Sequence, residues 1–285
     1  MRISEKIMLA AEKQLNADCG IGENREHVVK AANGILFCRA PRFPEKGYLT
    51  AASFGELVRQ AMQKETGMQA RIYEGIDPFF RGILCGGRVR IMAADEIFDW
   101  CVREYGSLKH PEWLGQFSGL RALDGKLRRY GRRIEDVRLN FLPGGKKEER
   151  DRKDSFPFEI RWMEEGDLAG RRDLAAFRHA VCGSELTPDV LAAAALKDGR
   201  IVGMAGATQD CGLLWQIGVD VDEAYRGRGI ATVLVRLLKE EILRRGKIPF
   251  YATSQSHILS MDTALGAGFL PAWTEIYAAA SRSGR

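Results

Sequence analysis

The residues best suited to chemistry lie in one stretch, Leu214-Trp215-Gln216-Ile217-Gly218-Val219-Asp220-Val221-Asp222-Glu223-Ala224-Tyr225-Arg226-Gly227-Arg228-Gly229-Ile230-Ala231. An apolar strand runs into a polar loop, and an amphipathic helix begins inside a Gly/Arg cluster. Glycines at such a point let the main chain approach a ligand with no Cβ in between. The first amides of a helix lack internal partners and sit at the positive end of its dipole. Both features suit a phosphate or pyrophosphate. Arg226 and Arg228 add guanidinium forks that can grip phosphate oxygens. An isolated Arg-Gly-Arg-Gly can equally be a solvent-facing turn, so the surrounding pattern decides.

That pattern excludes a dinucleotide-binding turn. Gly227-Arg228-Gly229-Ile230-Ala231-Thr232 supplies two of the three glycines that motif needs, and five residues lie between Val221 and Gly227, where that motif turns directly after the strand. The next strand, Pro249-Phe250-Tyr251-Ala252-Thr253, has no acid to hold a ribose. Gly82-Ile83-Leu84-Cys85-Gly86-Gly87-Arg88 lacks the Lys-Ser/Thr of a nucleotide-binding P-loop and reads as a turn.

Val221 to Ala231 resembles the central acyl-CoA motif of the GNAT N-acetyltransferase superfamily, Q/R-x-x-G-x-G/A. Arg226, Gly229 and Ala231 stand at its three defined positions. Trp215–Asp220, Ile248–Tyr251 and Gly268–Trp273 further resemble a bacterial GNAT subgroup that carries an extra N-terminal domain. The resemblance covers about residues 155–280. It implies that the pantetheine arm lies between Leu214–Val221 and Ile248–Thr253, on the backbone of Val219 and Val221, as an added strand would. It implies a pyrophosphate on the amides of Arg226, Gly227, Arg228, Gly229, Ile230 and Ala231, and a cofactor contact at His257, where the family usually has asparagine. The implied reaction is direct attack of a primary amine, on a small molecule or peptide, at the thioester of acetyl-CoA, with CoA as product. No covalent cysteine is required; positioning and one proton removal suffice.

The proton handlers depart from the family's pattern. Gln216 occupies the position of the usual glutamate base and can orient a water. Asp220 is the nearest carboxylate on the same strand face by the two-residue alternation. The general-acid tyrosine position is Ala264, which leaves Tyr251 and Tyr277 as candidates. A non-catalytic acyl-CoA-binding or sensing protein is therefore the alternative reading.

The elements that must position this site follow from periodicity. Phe158–Met163 reads as a strand and Glu164–Ala180 as helical. Val190–Leu196 is a strand that closes at the hairpin turn Lys197-Asp198-Gly199-Arg200, and Ile201–Thr208 and Leu213–Val221 follow. Ile230–Arg245 is a helix with Ala231, Leu234, Val235, Leu238 and Ile242 as its apolar stripe. Glu240/Arg244 and Glu241/Arg245 support its wet side, and Gly246 ends it. Ile248–Thr253, a short helix Ser260–Leu265 and a strand Phe269–Ala278 complete the order β-α-β-β-β-α-β-α-β. The expected fold class is α+β: a C-terminal GNAT-type mixed, mostly antiparallel sheet with flanking helices, beside a smaller N-terminal α+β domain.

In the N-terminal half, Ser4 caps a helix at 5–18. His27–Ala40, Tyr48–Phe54, Arg88–Ala93 and Val137–Leu142 read as strands, and Asp95–Tyr105 and Leu120–Tyr130 as helices. Pro143-Gly144-Gly145 and the nine charged residues Lys146–Asp154 read as a linker at 143–155. The expected domains are 1–142, of unassigned role, and 156–285, the acyltransferase. The N-terminal domain is expected to shape the acceptor site or a homodimer interface.

Composition bounds the rest. The 285 residues are 45% hydrophobic and 28% charged, an ordinary globular mix. No apolar run approaches a membrane span or a signal-peptide core, so no membrane partner and a cytoplasmic location are expected. Six scattered cysteines without CxxC pairs read as free thiols, and no His/Cys/Asp/Glu spacing predicts a metal. Residues 155–285 carry 15 Lys+Arg against 16 Asp+Glu, so the net charge of +5 belongs to the N-terminal half. Its densest part, Arg121–Arg138, reads as a solvated face rather than a nucleic-acid surface.

Overall fold

The computed structural model describes residues 2–22, 27–42, 49–145, 156–171 and 174–281. In chain order the N-terminal elements are α1 (Glu5–Asp18), β1 (Val28–Lys30), β2 (Leu36–Arg39), α2 (Ala51–Thr66), β3 (Asp77–Cys85), β4 (Arg88–Ala93), α3 (Asp95–Tyr105), α4 (Phe117–Arg128) and β5 (Arg132–Pro143). There follow β6 (Glu159–Glu164), α5 (Glu165–Leu168), β7 (Asp189–Lys197), β8 (Arg200–Gln209), β9 (Leu214–Val221), α6 (Ile230–Arg244), β10 (Ile248–Ser254), α7 (Ile258–Gly266) and β11 (Phe269–Ala280).

The chain forms two compact units, both discontinuous in sequence. One comprises Met1–Met8 and Asn140–Pro271, the other Leu9–Leu139 and Ala272–Arg285. The expectation of contiguous domains at 1–142 and 156–285 differs from this division: β5 and β11 each contribute residues to both units. Most of the expected linker, 146–155, lies outside the described residues.

The unit built on residues 9–139 is α+β. Its strands run in the order β1-β2-β4-β3-β11-β5, antiparallel at β1/β2, β3/β4 and β3/β11 and parallel at β2/β4. Gly86 and Gly87, both at positive φ, make the β3/β4 turn, while the preceding Gly82–Cys85 is strand rather than turn. Of the expected strand at Tyr48–Phe54, Tyr48 lies outside the described residues, and Ala51–Phe54 are instead the start of α2. Thr50 Oγ1 accepts from Ser53 N at 3.0 Å and caps it, and Val58 and Met62 bury one face at helical spacing. Ser4 caps α1 through Ile7 N, as expected. In the basic stretch, Arg128, Arg132, Arg133 and Arg138 pair with Asp124, Asp77, Glu135 and Asp136. Leu123 and Leu127 are buried beneath it.

Fully buried in this unit is a charge cluster. Arg71 Nε meets Asp18 Oδ2 at 2.7 Å, Arg81 Nε meets Glu275 Oε1 at 2.7 Å, and Trp273 Nε1 donates to Glu275 at 3.1 Å. Burial alone would raise the Glu275 carboxyl, but Arg71 and Arg81 outweigh it and hold it at about 2.

The unit built on residues 140–271 carries a mixed, mostly antiparallel sheet in the order β10-β9-β8-β7-β6, with only β9/β10 parallel. The β7/β8 hairpin turns on Asp198 and Gly199, both at positive φ. The α6 helix lies against the sheet and buries Ile230, Leu234, Val235, Leu238 and Ile242, each contributing about 1.5–3 kcal/mol. Glu241 pairs with both Arg244 and Arg245, so it takes the cation expected for Glu240. Glu164–Ala180 is not one helix. Beyond the short α5 its described residues form turns and a 3-10 position, and the main chain at His179–Ala180 passes over glycines of the sheet.

Candidate active site

The ladder between β9 and β10 begins at Leu214↔Ile248 and ends at Ile217↔Tyr251. Beyond that pair, Gly218–Val221 and Ala252–Ser254 continue as strands without pairing to each other. On its other edge β9 stays paired to β8 as far as Val221↔Gly203. The free edge of Gly218–Val221, with Val219 and Val221 in it, is thus a sheet edge opening into a wedge.

The wedge leads to the loop. Asp222 caps a one-turn 3-10 helix, Glu223–Tyr225, by accepting from Ala224 N at 3.0 Å. Gly227 and Gly229 lie at φ +74° and +77°, and a Cβ on either would meet nothing within 4 Å. They are therefore required by backbone conformation, and the space over them is open. Gly229 is the N-cap of α6, and the first internal amide of that helix is Val233, bonded to Gly229 O. The amides of Ile230 and Ala231 precede it and face outward as unpaired donors. The Arg226 amide, expected among the pyrophosphate donors, instead donates to Glu223 O at 3.3 Å to close the 3-10 turn, so Arg226 offers its guanidinium alone. That guanidinium is held by Val221 O and Glu223, and Arg228 by Ala224 O with its guanidinium 5.1 Å from the Tyr225 ring. Both remain exposed, pre-positioned beside the open amides. This donor set fits a pyrophosphate. His257 stands three residues past β10, as the exposed N-cap of α7.

Alternation along β9 puts Gln216, Gly218 and Asp220 on one face, and Ile217, Val219 and Val221 on the face of α6. The Gln216 side chain is half-buried, with no hydrogen-bond partner among the described residues. Gly218 pairs with Gly206 of β8, and the two glycines make a trough. A Cβ at Gly218 would lie 1.7 Å from His179 O, and one at Gly206 1.7 Å from Ala180 O. The main chain of His179–Ala180 occupies this trough. Asp220 secures it: Oδ2 accepts from His179 N at 2.7 Å and Ala180 N at 3.1 Å, and Oδ1 meets His179 Nδ1 at 2.7 Å. Farther along, Asp189 accepts from Cys182 N and Gly183 N. Asp220, expected with Gln216 as a catalytic candidate, is instead engaged by three groups of the His179–Ala180 segment.

Ala264 is completely buried and carries no proton donor. Tyr251 is on the α6 face and its hydroxyl is 2.9 Å from Ser260 Oγ. Burial raises its pKa, which Ser260 partly offsets and nearby Asp220 reinforces. Tyr277 is buried in the other unit beside Arg81 and Tyr73. Of the six cysteines five are buried and Cys182 is exposed. The unit built on residues 9–139 also holds a cavity of about 720 Å³, between Phe54, Tyr73, Asp77, Asp95 and Arg132, whose charged groups pair within the protein.

Residues 150–260 match the family model described as Acetyltransferase (GNAT) family. Residues 150–260 are thus similar to the GNAT acetyltransferases, and an extra N-terminal region precedes them. Among solved structures, a GNAT-family protein from Novosphingobium aromaticivorans is 22% identical, with 52% of this chain and 66% of that chain covered and a TM-score of 0.39. A GCN5-related N-acetyltransferase-like protein from Streptococcus suis is 20% identical, with 57% and 69% covered and a TM-score of 0.39. The protein yncA of Salmonella typhimurium, solved with its cofactor acetyl-CoA, is 15% identical, with 45% and 95% covered and a TM-score of 0.31. The chain thus spans about two thirds of the length of the first of these relatives. No curated protein matches the chain. No helix among the described residues is long and apolar enough to cross a membrane.

Proposed function

We propose that this protein is an N-acetyltransferase that moves an acetyl group from acetyl-CoA to a primary amine of a small molecule or peptide by direct attack. The observation that carries this reading is the wedge: pairing between β9 and β10 stops at Ile217↔Tyr251, and the opened strand runs directly into a loop of unpaired amides flanked by Arg226 and Arg228. A pantetheine arm is an extended, amide-bearing chain, and a free strand edge is its natural partner. Acetyl-CoA supplies the acetyl group as an activated thioester. The backbone of Val219 and Val221 holds the arm, and Arg226, Gly227, Arg228, Gly229, Ile230 and Ala231 hold the pyrophosphate. His257, at the mouth of the wedge, touches the same molecule. Gln216 orients a water on the acceptor side of β9. The five buried free thiols fit a reducing, cytoplasmic setting.

Release of free thiol from acetyl-CoA in the presence of a panel of primary amines tests the activity. Turnover with at least one amine is expected. A second reading, a non-catalytic acyl-CoA sensor, draws on Gln216 and the buried Ala264 standing where the family carries its proton handlers. Tight CoA binding with no thiol release across the panel would favour it.

A further inference from the structure

We propose that His179 is the proton acceptor for the incoming amine, held ready as a base by Asp220. The inference rests on the acetyl-transfer reading above and assigns its missing proton handler. His179 is attached to β9 twice through one carboxylate, by its own amide and by its ring Nδ1, both at 2.7 Å. Two such points fix the position of the main chain and the direction of the imidazole together. The carboxylate selects the tautomer in which Nδ1 carries the proton, leaving the Nε2 lone pair free. The ring is 82% exposed, while Asp220 beneath it is only 19% exposed. The lone pair is thus offered to solvent on the face shared with Gln216 and Gly218, beside the unpaired edge of β9 where the thioester is proposed to lie.

Two other candidate groups among the described residues are already engaged. Tyr251 is bonded to Ser260 on the opposite face, and the Cys182 thiol is directed at Asp189 and raised in pKa by burial. The proton balance closes. Nε2 takes one proton from the substrate ammonium, which frees the nitrogen lone pair to form the C–N bond. The C–S bond breaks with its electron pair on sulfur, and the thiolate takes a second proton from the same nitrogen. The imidazolium then returns the first proton to solvent. His179 would touch the substrate and is the catalytic residue; Asp220 is a positioning residue.

The test compares wild type with His179→Ala and His179→Gln, using whichever amine of the panel the wild type acetylates. Both substitutions keep the amide that Asp220 grips, so the segment stays in place and CoA affinity by calorimetry is unchanged. The expected loss in kcat/KM is about 10²- to 10⁴-fold. Added imidazole should restore part of it in His179→Ala, where the exposed ring position is left open, and less in His179→Gln, whose amide occupies it. Independently of turnover, long-range ¹⁵N NMR should show His179 protonated at Nδ1 in wild type, and Asp220→Asn should disturb that tautomer. A turnover loss below about threefold, no imidazole rescue, or a proton on Nε2 would overturn the assignment while leaving acetyl transfer standing. Absence of turnover by the wild type itself would overturn the acetyl-transfer reading.

Discussion

Replacing Gly218 by Ala tests how the acceptor face is assembled. Gly218 has no positive φ, so the substitution costs nothing in backbone conformation, and its whole effect is steric. The added Cβ would sit 1.7 Å from His179 O. A carbon–oxygen contact needs about 3.3 Å, so His179–Ala180 must lift by about 1.6 Å. The bonds to Asp220 at 2.7, 2.7 and 3.1 Å would then stretch past hydrogen-bonding range. Each is a bond to a carboxylate, in the range of about 1.5–3 kcal/mol, and their losses overlap because they share one acceptor. A destabilisation of about 3–5 kcal/mol follows, to be read from the urea midpoint at constant m-value. The loop from Arg226 to Ala231 lies outside the trough, so CoA affinity should stay within about threefold while acetyl transfer falls with the displacement of His179. A variant that keeps its stability within about 1 kcal/mol and its full turnover would refute the trough.

Three further outcomes are expected. Glu275→Gln strips the shared carboxylate from two buried guanidiniums and should cost about 3–5 kcal/mol in denaturant unfolding. The same carboxylate sets an acid limit. Its folded value of about 2 lies below the ordinary carboxylate range, so its stabilisation is complete above about pH 4.5 and is lost as pH falls from there towards 2. Urea midpoints between pH 6 and 2 should fall more steeply for wild type than for Glu275→Gln. Gly229→Ala meets no atom, so its cost is conformational alone, about 1–2 kcal/mol at φ +77°; calorimetry should show weaker CoA binding as the start of α6 shifts.

The strand–loop–helix was legible because each of its parts is a local signal. The apolar strand, the two glycines and the α6 stripe all read from neighbours within a few residues, and the order of elements along the chain followed from alternation and turns. The α2 helix was mistaken at its start for a strand because Tyr48–Phe54 is apolar and short, while the deciding pattern, Val58 and Met62 after a Thr50 cap, lies farther on. Glu164–Ala180 carries helical periodicity, but beyond α5 its described residues form turns and a 3-10 position. His179 carries no local signal, because its partner Asp220 is 41 residues away. A signal did exist: Gly206 and Gly218 interrupt adjacent strands, and glycine inside a strand marks close approach by another backbone. The division into units was least legible, since strands β5 and β11 each carry the chain from one unit to the other, and only the folded contacts reveal it.

The central claim is that the wedge and the loop bind acyl-CoA. Calorimetric titration of acetyl-CoA into wild type and into Arg226→Glu/Gly229→Asp tests it most directly, because both substitutions place carboxylates where the pyrophosphate is proposed to rest. Saturable one-site binding to wild type, abolished in the double variant, is the predicted result. Equal affinity in the two proteins, or no binding to wild type, would contradict it.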